Sequence, residues 1–512
     1  MPRYAAIDIG SNSVRMLAAE VAPGSPVRIL ASEREVTRLG ESVFRTGGMS
    51  EEAMSLTCAA LAKMAARYKA LDVAGVRAVA TSSARDARNQ AEFLERASQA
   101  IGAPVEAISG REEARLIHLG VLSRWPQPGR RVLIVDIGGG SAEVIGAEDG
   151  RILEVVSRPL GAVRLRELFL ADDPPSPREL RQIREFIQEK LAETFRRFGS
   201  RSWDRAIATS ATAAAVACAI GGVPRAKRDR VDRLRATTAQ VRKLYNKLSA
   251  LDLAARRKIA GIGPRRAEII LPGVAVLLEI LERLRLPSVY YSAAGVRDGI
   301  VADLAARGVG SHLARLSRDQ RREVERMSLH YGGSLKHARH VAGLAHELFN
   351  SLLPLHQLPP AFGKLLEAAA YLHDIGHYVS DLSHHKHSYY LVANSDMSGF
   401  TNRERELIAN LCRYHRKALP ASTHLNIRPL NAEERRALQR LVPLLRVADS
   451  LDTSHDQRVK SLECQVRDGQ VILQIVSSSG VDLEGWAAER AGEVFRDVYG
   501  VPVEIRASKG NS

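Results

Sequence analysis

A short motif occurs twice in the N-terminal third of the chain, and this repeat limits the folds that the sequence can adopt. Residues 7–13 read I-D-I-G-S-N-S, and residues 135–141 read V-D-I-G-G-G-S. Each copy follows an apolar β-rich run (Tyr4–Ile7 and Val132–Val135) and precedes more strand-like sequence (Val14–Leu17 and Glu143–Ile145). Strand, aspartate, glycine turn and strand therefore occur in this order twice, which predicts a duplicated α/β lobe with a cleft between the copies.

Helical periodicity separates and follows the two copies. The predicted helices are Glu51–Leu71, Asn89–Ile101, Glu112–Leu122 and Pro177–Phe198. A short strand at Val289–Tyr291 precedes a last helix that opens at Gly295–Gly299. The composition changes around Gly308–Gly310, and thirteen of the fifteen histidines lie between His330 and His455. That middle part is predicted to be almost wholly helical.

The last part of the chain returns to strand-like sequence and is predicted to form a small separate α+β unit, with strands Glu463–Val466, Val471–Val476 and Val503–Ile505 and a helix at Gly485–Tyr499. A chain of 512 residues is long enough for three or four domains. The predicted domains are a first lobe at 1–122, a second lobe at 123–303, a helical domain at 304–457 and the α+β unit at 458–512.

The net charge of +16 favours a polyanionic partner, although the even spread of arginines along the chain leaves a general arginine enrichment as the alternative. Aromatic residues make up only 5%, too few for a stacking platform, which argues against nucleic acid. No apolar run approaches the ~18 residues of a membrane span, and no signal peptide begins the chain. The four cysteines have no paired spacing. These features together predict a cytoplasmic protein that binds no membrane.

The two glycine turns predict a phosphate site. Turns of this kind present backbone N–H groups and small hydroxyls to an anion, and glycine allows close approach. The candidate phosphate ligands are Gly10, Ser11, Asn12, Ser13, Gly138, Gly139 and Ser141. The aspartates at the strand ends, Asp8 and Asp136, are candidate ligands of Mg²⁺, which retains much of its water when bound to protein.

Two more segments point to the same chemistry, each with a plainer alternative. Arg85 follows the predicted strand Val76–Val79 at the start of a helix, where a phosphate would lie. Glu112 and Glu113 occupy a helix's first turn, where carboxylates also favour the helix dipole without any catalytic role. Glu143 is equally compatible with a solvated strand position.

Nearly the whole chain resembles the Ppx/GppA family of exopolyphosphatases and guanosine pentaphosphate phosphohydrolases. The resemblance rests on ordered motifs: A-I-D-I-G-S-N-S at 6–13, V-T-R-L-G-E at 36–41, A-T-S-S-A-R-D-A-R-N at 80–89, G-R-E-E-A-R-L-I-H-L-G at 110–120, V-D-I-G-G-G-S-A-E-V at 135–144 and A-G-V-R-D-G-I at 294–300. It implies two actin-like (ribonuclease H-like) lobes and a homodimer. It also implies Glu113 as the general base, Glu143 as an organiser of metal and water, and Arg85 with the two turns as phosphate ligands.

One segment departs from the family pattern. The second glycine-rich loop of the family, typically G-x-x-G-T, corresponds here to Ala208–Thr212, with alanine at both glycine positions. Because this loop faces the nucleotide in actin-like relatives, the added methyl groups are expected to narrow the cleft. This predicts that a linear phosphate chain fits more easily than a nucleotide.

The histidine-rich part contains the order H…HD…H…H…D, which resembles the HD-domain phosphohydrolases. The resemblance implies His337, His373, Asp374 and Asp449 as ligands of one divalent metal, with His387 and His415 completing a second site. His377, His384 and His385 are predicted to lie outside the ligand set. The alternative is a structural helical domain that extends a polyphosphate channel.

Four functions follow from these patterns. The first is an exopolyphosphatase that removes orthophosphate from inorganic polyphosphate by Mg²⁺-assisted attack of water. The second, of the same class, is hydrolysis of guanosine pentaphosphate. The third places a metal-dependent nucleotide phosphohydrolase in the histidine-rich domain. The fourth is a sensor without catalysis, against which the presence of Glu113 and Glu143 argues.

Overall fold

The structure is a computed structural model that describes residues 1–21, 27–307, 314–467, 469–477 and 482–509. It divides into two compact units, Met1–Ala306 and Arg307–Ser512. The predicted change of composition at Gly308–Gly310 lies outside the described residues. The predicted domain limits within the two units remain predictions.

The first unit begins with a five-stranded sheet. Its strands are β1 (Arg3–Ile9), β2 (Val14–Glu20), β3 (Arg28–Glu35), β4 (Gly75–Ala80) and β5 (Val105–Ala107). They lie in the order β3-β2-β1-β4-β5. The first three strands form an antiparallel meander, and β4 and β5 run parallel to β1.

The second sheet repeats this plan. Its strands are β6 (Arg131–Ile137), β7 (Ala142–Glu148), β8 (Arg151–Arg158), β9 (Arg205–Thr209), β10 (Arg235–Thr237) and β11 (Ser288–Tyr291). They lie in the order β10-β11-β9-β6-β7-β8, with β6, β7 and β8 antiparallel and β9 and β11 parallel to β6. A strand order used twice, with the added β10 at one edge, is the duplicated actin-like α/β fold that the repeat predicts.

Helices cover both sheets of this unit. They are α1 (Leu39–Thr46), α2 (Glu51–Lys69), α3 (Ser82–Asp86), α4 (Gln90–Ile101), α5 (Gly110–Arg124), α6 (Ala162–Phe169), α7 (Pro177–Phe198), α8 (Ser210–Ile220), α9 (Thr238–Ser249), α10 (Leu253–Arg257), α11 (Pro264–Ala267), α12 (Ile270–Arg283) and α13 (Val296–Arg307). The predicted helix at Pro177–Phe198 is confirmed at both ends. At its N-terminus, Ser176 and Glu179 form a capping box. The other predicted helices are confirmed with ends shifted by one to two residues.

Two helices of the first unit each pack against the sheet of the opposite lobe and not against the sheet that precedes them in the chain. Helix α5 places Ala114, Ile117 and Val121 against the second sheet. Helix α13, the last of the unit, places Ile300 and Val301 against the first sheet. These two helices therefore join the two sheets of the first unit.

The second unit is mainly helical, as predicted. Its helices are α14 (Arg318–His330), α15 (Leu335–Ser351), α16 (Leu353–His356), α17 (Gly363–Leu372), α18 (His384–Ala393), α19 (Asn402–Tyr414), α20 (Ala432–Ser450) and α21 (Asp482–Tyr499). A three-stranded sheet in the order β12-β13-β14 is formed by β12 (Val459–Arg467), β13 (Gln470–Ser477) and β14 (Val503–Lys509). The predicted strands and helix of the tail are confirmed.

The tail does not have a core of its own. Val459, Leu473, Ile475 and Phe495 belong to the same buried cluster as the apolar faces of α15, α17 and α20. The sheet and the helix of the tail therefore complete the core of the helical part. Among the described helices, none combines the length and the apolar character of a membrane-spanning segment.

Candidate functional site

The two glycine turns have the same geometry. Gly10 N–H donates to the Ser13 carbonyl at 3.2 Å, and Gly138 N–H donates to the Ser141 carbonyl at 3.0 Å. Each turn follows the central strand of its sheet, β1 or β6. The sequence repeat is therefore a structural repeat, and it presents two equivalent turns.

These two turns meet across the cleft. A Cβ built on Gly139 would lie 3.0 Å from the Ser11 Cβ and 3.4 Å from the Asn12 nitrogen. A Cβ on Gly140 would lie 2.8 Å from the Ser11 hydroxyl, which is buried and has no hydrogen-bond partner among the described residues. Glycine at 139 and 140 thus allows the turns to approach closely around a polar, unsatisfied hydroxyl.

Glu113 faces the cleft. One oxygen of its carboxylate accepts a hydrogen bond from Arg85 Nη1 at 2.9 Å, and the same nitrogen donates to the Ile108 carbonyl at 2.7 Å. The N-cap Ser109, whose hydroxyl accepts from the Glu112 N–H, starts helix α5 just before it. Glu112 points elsewhere, toward Arg77 and Arg115. The two neighbouring glutamates therefore have different surroundings.

The two aspartates at the strand ends have different cross-strand partners. Asp8 pairs with Arg15 between β1 and β2, whereas Asp136 pairs with Glu143 between β6 and β7. Directly opposed side chains in such ladders lie within contact range. Glu143 is buried, its Oε1 accepts from the Ser157 hydroxyl at 2.8 Å, and its Oε2 has no partner among the described residues.

Four carboxylates thus converge in a buried place, and their pKa values reflect it. Burial, followed by the charge of Glu113, raises the pKa of Asp136 to about 7. Burial and the charges of Glu113 and Asp136 raise the pKa of Glu143 well above its ordinary value. Burial also raises the pKa of Glu113 against the opposing effect of Arg85, and that of Asp8 against Arg15 and Arg297.

This donor set fits magnesium. All the converging groups are oxygen donors, which Mg²⁺ prefers. The Glu143 oxygen without a protein partner and the raised pKa of Asp136 both indicate that a cation would be favourable among these carboxylates. Asp8 and Asp136 are the residues that would hold it.

A cavity lined by arginines adjoins Asn12. Its volume is about 150 Å³, and the arginines that line it are Arg34, Arg225, Arg228, Arg265 and Arg266. Arg266 lies buried at its floor, and Arg34, Arg225 and Arg265 are exposed at its rim. Burial, and then the charges of Arg228, Arg34 and Arg15, lower the pKa of Arg266 well below its ordinary value. The concentration of guanidinium groups around this cavity makes it suited to an anion.

Sequence reasoning missed these arginines. Arg225 and Arg228 lie in the run R-A-K-R-D-R at 225–230, and Arg265 and Arg266 in G-P-R-R at 263–266. Both runs were visible as local concentrations of positive charge. Their meeting at Asn12 depends on the way residues from both lobes fold together, which spacing along the chain does not reveal.

The expectation that alanines narrow the cleft is wrong for Ala208. Ala208 lies in the middle of the second sheet, opposite Val135 and Tyr291, and its methyl group belongs to the lobe's apolar core. The turn itself begins at Ser210, which has a positive φ of 80°, and the hydroxyls of Ser210 and Thr212 both donate to the Ile137 carbonyl. Ala208 therefore gives no reason against a nucleotide.

The second unit contains a separate buried cluster of histidines and aspartates. Three buried imidazoles each form a hydrogen bond through Nδ1. The partner of His337 is the Asp452 carboxylate at 2.8 Å. His373 bonds to the Ala370 carbonyl at 2.9 Å, and His415 bonds to the Cys412 carbonyl at 2.7 Å. A hydrogen bond at one ring nitrogen fixes the orientation of the other, as in metal sites. The Nε2 atoms of all three rings point toward Asp374.

Asp374 lies between two groups of imidazoles. Its Oδ2 is 3.7 Å from His337 Nε2 and 3.5 Å from His373 Nε2. Its Oδ1 is 3.5 Å from His384 Nε2 and 3.7 Å from His415 Nε2. Asp449 joins the first group, with His373 Nε2 at 3.1 Å. The structure therefore brings together His337, His373, Asp374, Asp449 and His415, as the sequence predicts.

His384, and not His387, accompanies His415. The Nε2 atoms of His384 and His415 are 3.1 Å apart, and His384 is buried, whereas within the described residues His387 has no contact with the cluster. Both lie in the first turn of α18, where residues three apart occupy neighbouring positions on one face, so their spacing alone does not decide between them. His377 is exposed and within 3.8 Å of Asp374.

The histidine cluster fits a transition metal. His337 Nε2 is buried without a hydrogen-bond partner among the described residues. Mixed imidazole and carboxylate donors suit zinc, iron, nickel or manganese better than magnesium. His337, His373, Asp374 and Asp449 are the residues that would hold such an ion, because their ligand atoms all lie within 4.8 Å of one another.

Comparisons with known proteins agree with this geometry. Two family models match, the Ppx/GppA phosphatase family over residues 17–307 and domain III of the Ppx/GppA phosphatases over residues 320–484. The chain is 30% identical to a guanosine-5'-triphosphate,3'-diphosphate pyrophosphatase of Vibrio vulnificus (strain YJ016) over 478 residues, which cover 91% of this chain and 89% of that one.

Solved structures match the two lobes. A PPX-GPPA enzyme of Aquifex aeolicus is 30% identical with a TM-score of 0.52, and the match covers 59% of this chain and 99% of that one. An exopolyphosphatase of Cytophaga hutchinsonii shares the fold at 24% identity with a TM-score of 0.55, covering 59% of this chain and 97% of that one. From the duplicated turns, the converging carboxylates and these matches, we conclude that the chain belongs to the Ppx/GppA phosphatase family.

Proposed function

We propose that the protein is an exopolyphosphatase that hydrolyses the terminal phosphoryl group of inorganic polyphosphate in the cleft of its first unit. The observation that carries the proposal is the arginine-lined cavity beside Asn12, adjoining the cleft that holds the buried carboxylates. A long polyanion needs a positive site for phosphates beyond the one that reacts, and the exposed rim arginines leave that site open to solvent.

In this proposal each group has one task. The turns at Gly10–Ser13 and Gly138–Ser141, with Arg85, hold the terminal phosphate, and Asp8 and Asp136 hold Mg²⁺. Glu113 takes a proton from water as the water oxygen bonds to the terminal phosphorus. The bond from that phosphorus to the bridging oxygen breaks, so orthophosphate leaves and the chain is one unit shorter. A bound Mg²⁺ would stabilise the charge that develops on the phosphoryl oxygens.

Arg85 supports the role of Glu113. The guanidinium keeps the carboxylate oriented by a direct hydrogen bond, while burial raises the pKa of Glu113. A base whose pKa is raised toward neutrality takes a proton more effectively than an ordinary carboxylate. Glu143, with one oxygen bonded to Ser157 and the other unsatisfied, is suited to orient water or metal-bound solvent.

Hydrolysis of guanosine pentaphosphate is the second candidate, and the similarity to the Vibrio vulnificus enzyme favours it. The same turns and carboxylates would act on a terminal phosphate of a nucleotide. The arginine cavity would then receive the second phosphate-bearing arm of the nucleotide. Since Ala208 lies in the core, nothing at that position opposes this alternative.

The histidine cluster supports a further, independent candidate, a metal-dependent nucleotide phosphohydrolase in the second unit. The observation that favours it is the convergence of buried Nε2 atoms on Asp374. A structural metal is the competing explanation for the same geometry. Both lead to the expectation that the purified protein retains a transition metal.

The test of the main proposal is phosphate release from long-chain polyphosphate and from guanosine pentaphosphate, measured side by side with Mg²⁺ and with a chelator. We expect Mg²⁺-dependent release from polyphosphate with the higher kcat/KM. A higher kcat/KM for guanosine pentaphosphate would make the second candidate the main activity. Release from neither substrate would overturn the assignment to the cleft.

The two units are distinguished by variants of the full chain. His373→Ala removes an imidazole from the histidine cluster and leaves the cleft unchanged. If this variant loses hydrolysis of polyphosphate while Glu113→Gln retains it, the reaction belongs to the second unit and the proposal fails.

A further inference from the structure

A buried ionic network lies directly beside the proposed base and has no part in the chemistry described above. It consists of two arginines and three carboxylates: Arg77, Arg115, Glu106, Glu112 and Asp303. The side chains of Arg77, Glu112 and Arg115 are less than a tenth exposed. These residues come from β4, β5, α5 and α13, so the network joins four elements of the first unit.

Glu112 is the centre of this network. Its Oε1 accepts from Arg77 Nη2 at 3.0 Å and from Arg115 Nη2 at 2.9 Å, and its Oε2 accepts from Arg115 Nε at 2.7 Å. Asp303 binds the same two arginines, with Arg77 Nη1 at 3.0 Å and Arg115 Nη2 at 2.9 Å. The arginines lower the pKa of Glu112 in spite of its burial, so the carboxylate is charged.

The segment at the start of α13 approaches the backbone of α5 closely at two points. A Cβ on Gly120 would lie 2.2 Å from the Gly295 carbonyl oxygen, and a Cβ on Gly299 would lie 1.8 Å from the Leu116 carbonyl oxygen. The backbones of this segment and of α5 therefore touch at these two levels. A third contact lies one turn further toward the start of α5. There Asp303 accepts a hydrogen bond from Arg115, and Arg77 and Arg115 both connect Asp303 to Glu112.

The third contact lies at the turn that carries Glu113. Successive residues of a helix differ by about 100° around the axis, so Glu112 and Glu113 face different sides of α5. Glu112 is tied to α13, and Glu113 reaches Arg85 in the cleft. Fixing the backbone of this first turn fixes the direction in which the Glu113 side chain leaves the helix, and Arg85 then holds its carboxylate.

Stability alone is a weak explanation for this network. Buried ion pairs lose so much hydration that well-packed apolar residues often stabilise a protein as well or better. What a network with several charge-assisted hydrogen bonds provides is a defined geometry. Since a displacement of a catalytic group by about 1 Å can cost on the order of 10²-fold in rate, geometry matters most beside the base.

We propose that Glu112 and Asp303 are positioning residues that hold the first turn of α5 against α13 and so aim the Glu113 carboxylate at the attacking water. The proposal rests on the function proposed above for Glu113. It assigns no contact between substrate and either residue.

The test is a set of full-length variants assayed for phosphate release from polyphosphate. Glu112→Gln and Asp303→Asn preserve shape and remove charge. We expect each to lower kcat by between about tenfold and 10²-fold with KM within about twofold, because the phosphate ligands are unchanged. Glu51→Gln, which removes an exposed ion pair with Arg96 in the same unit, is the matched control and should keep kcat.

A double-mutant cycle separates positioning from a general structural effect. In the Glu113→Gln background the carboxylate to be aimed is absent, so adding Glu112→Gln should change the residual rate by less than about twofold. An equal loss of kcat in both backgrounds would overturn the proposal, as would a wild-type kcat for Glu112→Gln. If Glu113→Gln itself retains full activity, the proposed function fails instead, which distinguishes the two failures.

Stability measurements complete the test. Urea unfolding of the same variants gives the fraction folded, so kcat is calculated per folded molecule. If Glu112→Gln does not fold, the milder Asp303→Asn decides, because Glu112 then keeps both of its arginine partners. A kcat loss in Asp303→Asn that disappears after this correction contradicts positioning.

Discussion

In the cleft of the first unit the converging ligand atoms are carboxylate oxygens, whereas in the second unit most are imidazole nitrogens. The cleft carboxylates repel one another, and Glu143 and Ser11 each have a buried oxygen without a partner among the described residues. The imidazoles are instead each fixed by a hydrogen bond at Nδ1. In the proposed function a cation would offset the repulsion in the first arrangement, whereas the imidazoles of the second are already oriented as in metal sites.

The difference teaches which kind of metal ion each set of donors would favour. Oxygen donors with water suit a hard cation such as Mg²⁺, and imidazole with carboxylate suits a borderline transition-metal ion. If both sites bind metal, we therefore expect them to compete little for the same ion.

The largest effect is expected for Glu113→Gln. An amide cannot take the proton from water, so kcat for phosphate release should fall by about 10²–10⁴-fold. Binding of polyphosphate should remain, because the turns and arginines are intact. Steady-state kinetics and a binding titration measure the two quantities, and an unchanged kcat would remove Glu113 from the reaction.

The next largest effect concerns the metal of the second unit. His337→Ala and His384→Ala each remove an Nε2 that faces Asp374, so metal content measured by elemental analysis should fall at least tenfold for His337→Ala and partly for His384→Ala. Mg²⁺-dependent phosphate release should stay within about twofold. His387→Ala, on the same helix as His384, is the matched control, and a loss of metal there would restore the ligand assigned from the sequence.

Arg266 tests the anion cavity. Replacing it by alanine removes the buried positive floor, and a charge-assisted hydrogen bond contributes about 1.5–3 kcal/mol, so KM for long polyphosphate should rise roughly tenfold to 10²-fold. The dependence of KM on salt should also become less steep. Arg265→Ala, at the exposed rim, is expected to have a smaller effect, and equal effects would argue against a special role for the floor.

The last prediction concerns the pH dependence of stability and not activity. Asp136 has a folded pKa raised from 3.8 to about 7, so without metal the folded state holds this proton more tightly than the unfolded state. The associated stability is complete below the ordinary pKa, is lost as pH rises toward about 7 and is then constant; the loss is on the order of 4 kcal/mol at most. Urea unfolding in chelator across that window measures it.

Asp136→Asn provides the control for this last prediction. An amide does not titrate, so the fall in stability between the two pH limits should become smaller, although Asp8, Glu113 and Glu143 still contribute in the same direction. Added Mg²⁺ should stabilise the wild type more at high pH than at low pH, because it binds the ionised carboxylates. The histidine cluster offers no such response to Mg²⁺.

The local pattern of the sequence predicted most of the fold. The repeated turn identified both central strands, and helices such as α7 were located to the residue because a capping box and an N-terminal proline mark the start. The tail was different: the sequence predicted its strands, but it did not reveal that they share their core with the helical part. Whether a small sheet has its own core depends on which distant apolar faces it meets, here those of α15 and α20.

The candidate site shows the same limit. Motif order placed Asp8, Asp136, Glu113 and Arg85 correctly within reach of one another, because each belongs to a segment with a local signature. It did not distinguish His384 from His387, which requires the rotation of α18 about its axis. It also overlooked Arg266, whose function arises from burial among other arginines rather than from any motif.

One difference between the two halves lies directly beside the paired aspartates. At equivalent ladder positions Asp8 faces Arg15, and Asp136 faces Glu143. In the proposed function, the end of a phosphate chain in the cleft would lie near a guanidinium at one turn and near a buried carboxylate at the other. The electrostatic surroundings of the substrate would therefore differ between the two sides of the cleft, although the two turns share one backbone geometry.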